Sequence, residues 1–234
     1  MMNKIDYTTL TGSETPEKIM EICEKAEELG VASVCVYPKF VNIVRNCLED
    51  SNVKVCTVIS FPNGDDETIA KVYETMEALV DGADEIDMVF NYKLFLDNII
   101  SDDDSNIELN QEIDLKLFDD VATLVEVVHA ADKKLKVIIE SGLLTVNQTK
   151  FITDMVVHAG ADFIKTSTGK VKVGAELEKV KAMKEVIDEL KSNMKIKASG
   201  GIRNINDMKI FDEYVDRFGM GYGAVDSIYS DMKK

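Results

Sequence analysis

Leu-Lys-Val-Ile-Ile-Glu at Leu135–Glu140, then a helical stretch at Thr149–Ala159 closing on Gly160, then Asp-Phe-Ile-Lys-Thr at Asp162–Thr166: this succession decides the fold. A short apolar run with β-branched residues reads as a buried strand. Glycine just past a helical pattern supplies the left-handed cap that ends a helix. Strand, helix and strand together make a βαβ unit, and such units build parallel sheets. The same rhythm extends in both directions. Candidate strands occur at Lys4–Thr8, Ala32–Tyr37, Val53–Ser60, Asp84–Phe90, Lys195–Ser199 and Val215–Phe218. Between them, apolar residues recur at three-to-four spacing, as in Ile19, Ile22, Cys23, Ala26 and Leu29, or Ile69, Val72, Met76, Leu79 and Val80. Gly30 and Gly82 close these two segments. Eight units in 234 residues predict an α/β fold of the closed (β/α)8 type, a TIM barrel forming a single domain over 1–234. A doubly wound open sheet is the alternative.

Composition sets outer limits. With 45% apolar residues the chain can bury a sizeable core. Its formal net charge of −16 argues against nucleic acid or an anionic membrane as the main partner. The first residues, Met1 to Asp6, lack the apolar core of a signal peptide, and no apolar run approaches the ~18 residues of a membrane span. Cys23, Cys35, Cys47 and Cys56 show no C-x-x-C pair, so neither a zinc site nor a disulfide framework is expected, and a cytoplasmic setting fits. His129 and His158 fall in helical stretches and read as surface residues. Asp97–Asp120 holds nine acids against Lys116 alone. Its Asp102-Asp103-Asp104 run lacks the alternating ligands, central glycine and final glutamate of a calcium loop, and reads as a solvated insertion.

Alternation along the strands locates the chemistry. If Ile86, Met88 and Phe90 face the helices, then Glu85, Asp87 and Val89 face the barrel interior. Ile164 outward turns Phe163 and Lys165 inward, and Ile196 and Ala198 outward turn Lys195, Lys197 and Ser199 inward. Charges inside a barrel are costly unless paired or used. Lys165 and Lys197 lie on neighbouring strands near the C-terminal face, where barrel active sites form. Two ammonium groups that close are expected to depress each other's pKa; bringing a lysine from 10.4 to about 7 takes roughly 4–5 kcal/mol. The neutral amine so produced is the nucleophile a Schiff base needs, with Asp87 as proton donor, acceptor or relay. A purely structural Lys–Asp–Lys cluster closing the barrel is equally compatible with the spacing.

An anion site is legible in the glycines. Thr166-Ser167-Thr168-Gly169-Lys170 follows strand 6, Ser199-Gly200-Gly201-Ile202-Arg203 ends strand 7, and Gly219-Met220-Gly221-Tyr222-Gly223 follows strand 8. Barrels of this kind hold phosphate on the loops after strands 7 and 8, where glycine lets backbone N–H groups approach. Plain tight turns are the alternative. A dinucleotide fold around Gly219 and Gly221 is poorly supported, because too few residues follow for a βαβ unit.

Seven segments in this order resemble the 2-deoxyribose-5-phosphate aldolases, a Schiff-base-forming family. They are Ile5–Leu10, Val34–Pro38, Phe61–Gly64, Gly82–Val89, Val137–Gly142, Ala161–Gly169 and Lys197–Arg203. The Phe163-Ile164-Lys165-Thr166-Ser167-Thr168-Gly169 run is the most specific. The resemblance implies a TIM barrel that cleaves 2-deoxy-D-ribose 5-phosphate reversibly to D-glyceraldehyde 3-phosphate and acetaldehyde. It implies Lys165 as imine former, Lys197 as the perturbing cation and Asp87 in the proton relay. Asp6 matches a further active-site acid and Cys35 a cysteine near the pocket. Thr168 and Lys170 match positions lining the substrate and phosphate region. Gly200 and Gly201 match phosphate-binding backbone, and Gly221 and Tyr222 fall at the remaining phosphate position. No metal or other cofactor is implied, the partner is a phosphorylated sugar, and a homodimer is a family-level expectation. Three departures stand out. Gly221-Tyr222 replaces two consecutive serines of many relatives, Glu140-Ser141-Gly142 replaces Glu-Thr-Gly, and the chain ends Ser230 to Lys234 without the terminal tyrosine of some relatives, Tyr229 falling on the last helix. The Gly221-Tyr222 change keeps open an aldolase for another phosphorylated sugar; a non-catalytic sugar-phosphate binder is a third reading.

Overall fold

The structure, a computed structural model, describes residues 1–101 and 103–232. Eight parallel strands close into a barrel in sequential order. They are β1 (Ile5–Thr8), β2 (Ser33–Val36), β3 (Lys54–Ile59), β4 (Glu85–Val89), β5 (Lys134–Ile138), β6 (Phe163–Lys165), β7 (Lys195–Ser199) and β8 (Arg217–Gly221). The outer ring comprises α1 (Pro16–Leu29), α2 (Val41–Cys47), α3 (Thr68–Val80), α4 (Tyr92–Asp97), α5 (Gln111–Ala130), α6 (Val146–Ala159), α7 (Leu177–Glu189), α8 (Ile205–Phe211) and α9 (Tyr222–Met232). Closure is made by β8 on β1, with Gly219 opposite Asp6 and Gly221 opposite Thr8.

Local chemistry starts and stops the helices where the sequence suggests. The Thr15 hydroxyl accepts the Lys18 N–H ahead of α1, and Thr145 with Gln148 forms a capping box on α6. Gly30 and Gly160 end α1 and α6 in the left-handed conformation, at φ 61° and 86°. The main core lies between barrel and helices, where Ile86, Met88, Ile164, Ile196 and Ala198 are buried as alternation requires. A smaller apolar cluster of Leu10, Cys35, Cys56 and Val58 lies apart from it. Among the described residues no helix is long and apolar enough to cross a membrane.

Three expectations are corrected. First, β8 begins at Arg217 and runs to Gly221, not Val215–Phe218, so Gly219 and Gly221 are strand residues rather than a loop. Lys197 pairs with Arg217 and Ser199 with Gly219, which anchors the strand two residues later. Second, the acidic insertion is only partly solvated. Asp102 lies outside the described residues, but α5 starts at Gln111, and Asp120 is buried on it. Its carboxylate takes the Lys71 ammonium at 2.6 Å and the Thr68 hydroxyl at 2.7 Å. Third, α3 forms where its apolar period places it, yet Ile69, Met76 and Val80 point to solvent, while Lys71, Thr75 and Ala78 are buried. The two histidines lie on helices as expected; His129 Nε2 sits 2.9 Å from Asp162 Oδ2.

Candidate active site

Asp87, in the middle of β4, is the hub. One carboxylate oxygen, Oδ2, lies 2.7 Å from both Lys165 Nζ and Lys197 Nζ. The other, Oδ1, lies 2.8 Å from Lys136 Nζ and 3.3 Å from Cys56 Sγ. Asp6 is a second hub, 2.5 Å from Lys197 Nζ through Oδ2. Its Oδ1 takes Arg217 Nη1 at 2.6 Å and the Ser33 hydroxyl at 2.7 Å. Glu85 joins through Lys136 at 2.7 Å and Arg217 at 3.3 Å. Every strand contributes a group: Asp6, Ser33, Cys56, Glu85 with Asp87, Lys136, Lys165, Lys197 and Arg217, in chain order. Four cationic side chains thus face three carboxylates in a largely buried cluster.

Electrostatics set the charge states. Burial favours the neutral form of Asp87, but Lys136, Lys165 and Lys197 outweigh it and hold the carboxyl well below its ordinary range. Burial likewise works against Asp6, and Lys197, Lys136 and Arg217 overcome it, leaving its pKa lowered. Burial opposes the charge on Lys136 and Lys197, yet their carboxylate partners push both above the ordinary lysine value. This corrects the expected depression at Lys197: against burial and the Lys136 charge, the Asp6 and Asp87 carboxylates at 2.5 and 2.7 Å hold it cationic. Lys165 and Lys197 are register partners on β6 and β7, as expected. Lys165 is 4% exposed, whereas Lys136 and Lys197 are fully enclosed.

Other expected residues lie around this core. Cys35, on β2, is the register partner of Cys56. The side-chain interaction with Cys56 lowers the Cys35 pKa, while burial first and this interaction second raise that of Cys56. Thr168, beyond β6, donates its hydroxyl to Glu140 Oε2 at 2.5 Å. Lys170 Nζ reaches the Leu10 carbonyl at 2.5 Å and lies 5.9 Å over the Phe61 ring. Gly200 and Gly201 adopt φ of 84° and 81° between β7 and α8, a conformation that L side chains rarely adopt. Gly221 ends β8 and is exposed. Tyr222 opens α9, but its ring meets that of Tyr7 edge-on at 6.3 Å, beneath Lys18 of α1 at 5.4 Å. Because Asp6 and Thr8 face the barrel interior, Tyr7 faces the helices, and the Tyr222 ring follows it there. Only the Tyr222 backbone stays near the barrel mouth.

Lys136, Arg217 and Glu140 are absent from the sequence-based site. Alternation could have found Lys136, since Leu135 and Val137 face outward on either side of it. Arg217 lies within the expected last strand, and alternation with the outward Phe218 could have found it too. Glu140 sits just beyond β5 at φ 52°, a left-handed conformation unusual for a non-glycine residue. Burial raises its pKa against the opposing Thr168 bonds.

Comparison with known proteins agrees with this fold. The sequence pattern described as DeoC/LacD family aldolase matches residues 1–221. The deoxyribose-phosphate aldolase of Ureaplasma parvum serovar 3 is 40% identical over 216 residues, covering 91% of this chain and 92% of that one. That of Caldicellulosiruptor saccharolyticus is 37% identical over 222 residues, covering 94% and 93%. Among solved structures, the tetrameric deoxyribose phosphate aldolase of Aeropyrum pernix superimposes with a TM-score of 0.84 at 26% identity, over 100% of this chain and 91% of that one. With a family pattern over nearly the whole chain and relatives matched almost end to end, the chain belongs to the DeoC/LacD family of aldolases and is a lyase.

Proposed function

We propose that the protein cleaves 2-deoxy-D-ribose 5-phosphate reversibly into D-glyceraldehyde 3-phosphate and acetaldehyde through an imine on Lys165. The observation that carries this reading is the contact of Lys165 with Asp87, at 2.7 Å, inside a cluster that has one cation more than it has carboxylates. Release of one proton brings that cluster to neutrality. Lys165, on the short strand β6 and the least enclosed of the three lysines on Asp87, is the amine a substrate reaches first.

The free Nζ attacks the aldehyde carbon C1 of the open-chain sugar, and the resulting carbinolamine loses water to give the iminium. That cation is the electron sink. Removal of the C3 hydroxyl proton drives cleavage of the C2–C3 bond. Its electron pair passes to C2 as the enamine, and C3 leaves as the aldehyde of glyceraldehyde 3-phosphate. Protonation of the enamine at C2 gives the acetaldehyde iminium, and water returns the free amine and acetaldehyde. Asp87 relays these protons from its place between Lys165 and Lys197. Lys197, kept cationic, opposes reprotonation of the reacting nitrogen. The backbone of Gly200 and Gly201, with Thr168 and Lys170 across the mouth, takes the phosphate. Gly221 and the Tyr222 N–H extend that cradle without a side-chain hydroxyl, which favours testing other phosphorylated sugars beside this one.

Borohydride reduction in the presence of acetaldehyde, followed by peptide mass mapping, tests the reading. A stable adduct on Lys165 is expected, and Lys165→Ala removes both adduct and turnover. An adduct on another lysine sinks the mechanism. Cleavage rates on deoxyribose 5-phosphate, deoxyribose and longer sugar phosphates test the substrate; equal rates with and without phosphate would exclude the anion cradle.

A further inference from the structure

Glu140 follows β5 in a strained turn beside the Lys165 segment. It is fully buried and holds φ 52°, a left-handed conformation that is costly for a residue with a side chain. The kink is pinned on either side of it. The Ile139 N–H donates to the Lys165 carbonyl at 3.1 Å, and the Ser141 N–H donates to the Thr166 carbonyl at 2.7 Å. Strain maintained in this way points to a side chain needed where it is.

That side chain is directed at Thr168. Both carboxylate oxygens accept the Thr168 N–H at 3.3 Å, and Oε2 accepts the Thr168 hydroxyl proton at 2.5 Å. A threonine hydroxyl has one proton and two lone pairs. The proton is committed to Glu140, and one lone pair takes the Lys170 N–H at 3.1 Å. One lone pair remains. Such an oxygen offers nothing to a phosphate oxygen, which also accepts, but it suits a hydroxyl that donates. Glu140 is not needed merely to hold the loop. The Ala175 N–H donates to the Gly200 carbonyl at 3.0 Å, and the Ser199 hydroxyl donates to the Ser167 carbonyl at 2.6 Å. A methyl group at Gly174 would come within 2.2 Å of the Gly200 carbonyl oxygen, so that side of the loop is already closely packed.

We propose that Glu140 is a positioning residue for substrate selection. Acting through Thr168, it makes that hydroxyl an acceptor and so favours a sugar with a free hydroxyl beside the carbon that is cleaved. The proposal rests on the cleavage reading above and sharpens it: Gly200, Gly201 and Lys170 serve the phosphate, and the Thr168 hydroxyl serves the sugar.

The reverse reaction, addition of acetaldehyde to an acceptor aldehyde, tests this. The two acceptors are D-glyceraldehyde 3-phosphate and its analogue without the C2 hydroxyl, and the readout is the ratio of their kcat/KM values. The wild type is expected to prefer the hydroxylated acceptor by about 10- to 100-fold, the usual worth of one hydrogen bond in a closed site. Glu140→Met removes the acceptor and Thr168→Val the hydroxyl, and each is expected to abolish most of that preference. E140M/T168V is expected to fall no lower than Thr168→Val alone, because the two residues act as one unit. Glu140→Gln, which retains one acceptor oxygen, is expected to keep part of the preference, as Thr168→Ser is to keep nearly all. Thermal melting and borohydride trapping of acetaldehyde on Lys165 verify folding, and Glu140→Gln carries the cycle if Glu140→Met does not fold. A merely structural Glu140 would lower both rates together and leave the ratio alone. That result, a wild type indifferent to the hydroxyl, or additive losses in the double variant would overturn the proposal. A wild type that traps acetaldehyde on Lys165 yet joins it to neither acceptor would instead sink the cleavage reading.

Discussion

At the residue scale, the decisive property of the site is an unequal count of charges. Replacing Lys197 with Met removes one cation of four and leaves Lys165 facing two cations and three carboxylates. Borohydride trapping with acetaldehyde should then need a more alkaline medium. An unchanged pH profile would show that Lys197 acts only in packing. Asp87→Asn should lower turnover by ~10²–10⁴-fold, the usual worth of a positioned proton carrier. Most of this was legible from alternation alone: an apolar residue on either side of Asp87 and of Lys197, and Ile164 before Lys165, turns each inward. The sign of the coupling was not. It depends on Asp6, Glu85 and Lys136 converging from β1, β4 and β5, which no single strand reveals.

At the scale of elements, β8 shows how a one-strand misplacement conceals a role. Read as a loop, Gly219 is a phosphate cradle; in the strand it is a space. A methyl group there would come within 2.9 Å of Ser199 Cβ and 3.1 Å of Lys197 Cε. Gly219→Ala should therefore displace the Lys197 side chain and lower turnover while the far-ultraviolet circular dichroism stays that of the wild type; full activity would show that the lysine has room to yield. Helix α3 teaches the complementary lesson. Periodicity marks a helix but not which side it buries, because the inward Lys71 is satisfied by Asp120, 49 residues away, and by the Val89 carbonyl. Boundaries were hardest where the pattern was diluted by charge, as in the first half of α5.

At the scale of the whole molecule, the depressed carboxylates govern acid stability. Asp6 and Asp87 have lower pKa values folded than unfolded, so their contribution is present above the ordinary aspartate value of 3.8. It is lost as pH falls through the folded values. Denaturant midpoints should be steady near neutrality and drop steeply below about pH 4; a flat acid limb would mean that the cluster adds nothing to folding. Net charge, in contrast, said little about the ligand: Lys165–Arg203 holds ten bases and five acids within an acidic chain.

The contribution of every strand to one ion network has a kinetic meaning. Asp6 is the second residue of the first strand, and its partner Arg217 opens the last, 211 positions later. A barrel missing its final strand leaves Asp6 short of a partner, and one missing its first leaves Lys197 and Arg217 each short of one. A partly assembled sheet would hold unbalanced charge away from water, so half-barrels gain little from forming early. Assembly then gathers into one late, concerted event, and a chain split between α4 and α5 should yield no ordered half, only a whole when both pieces are present.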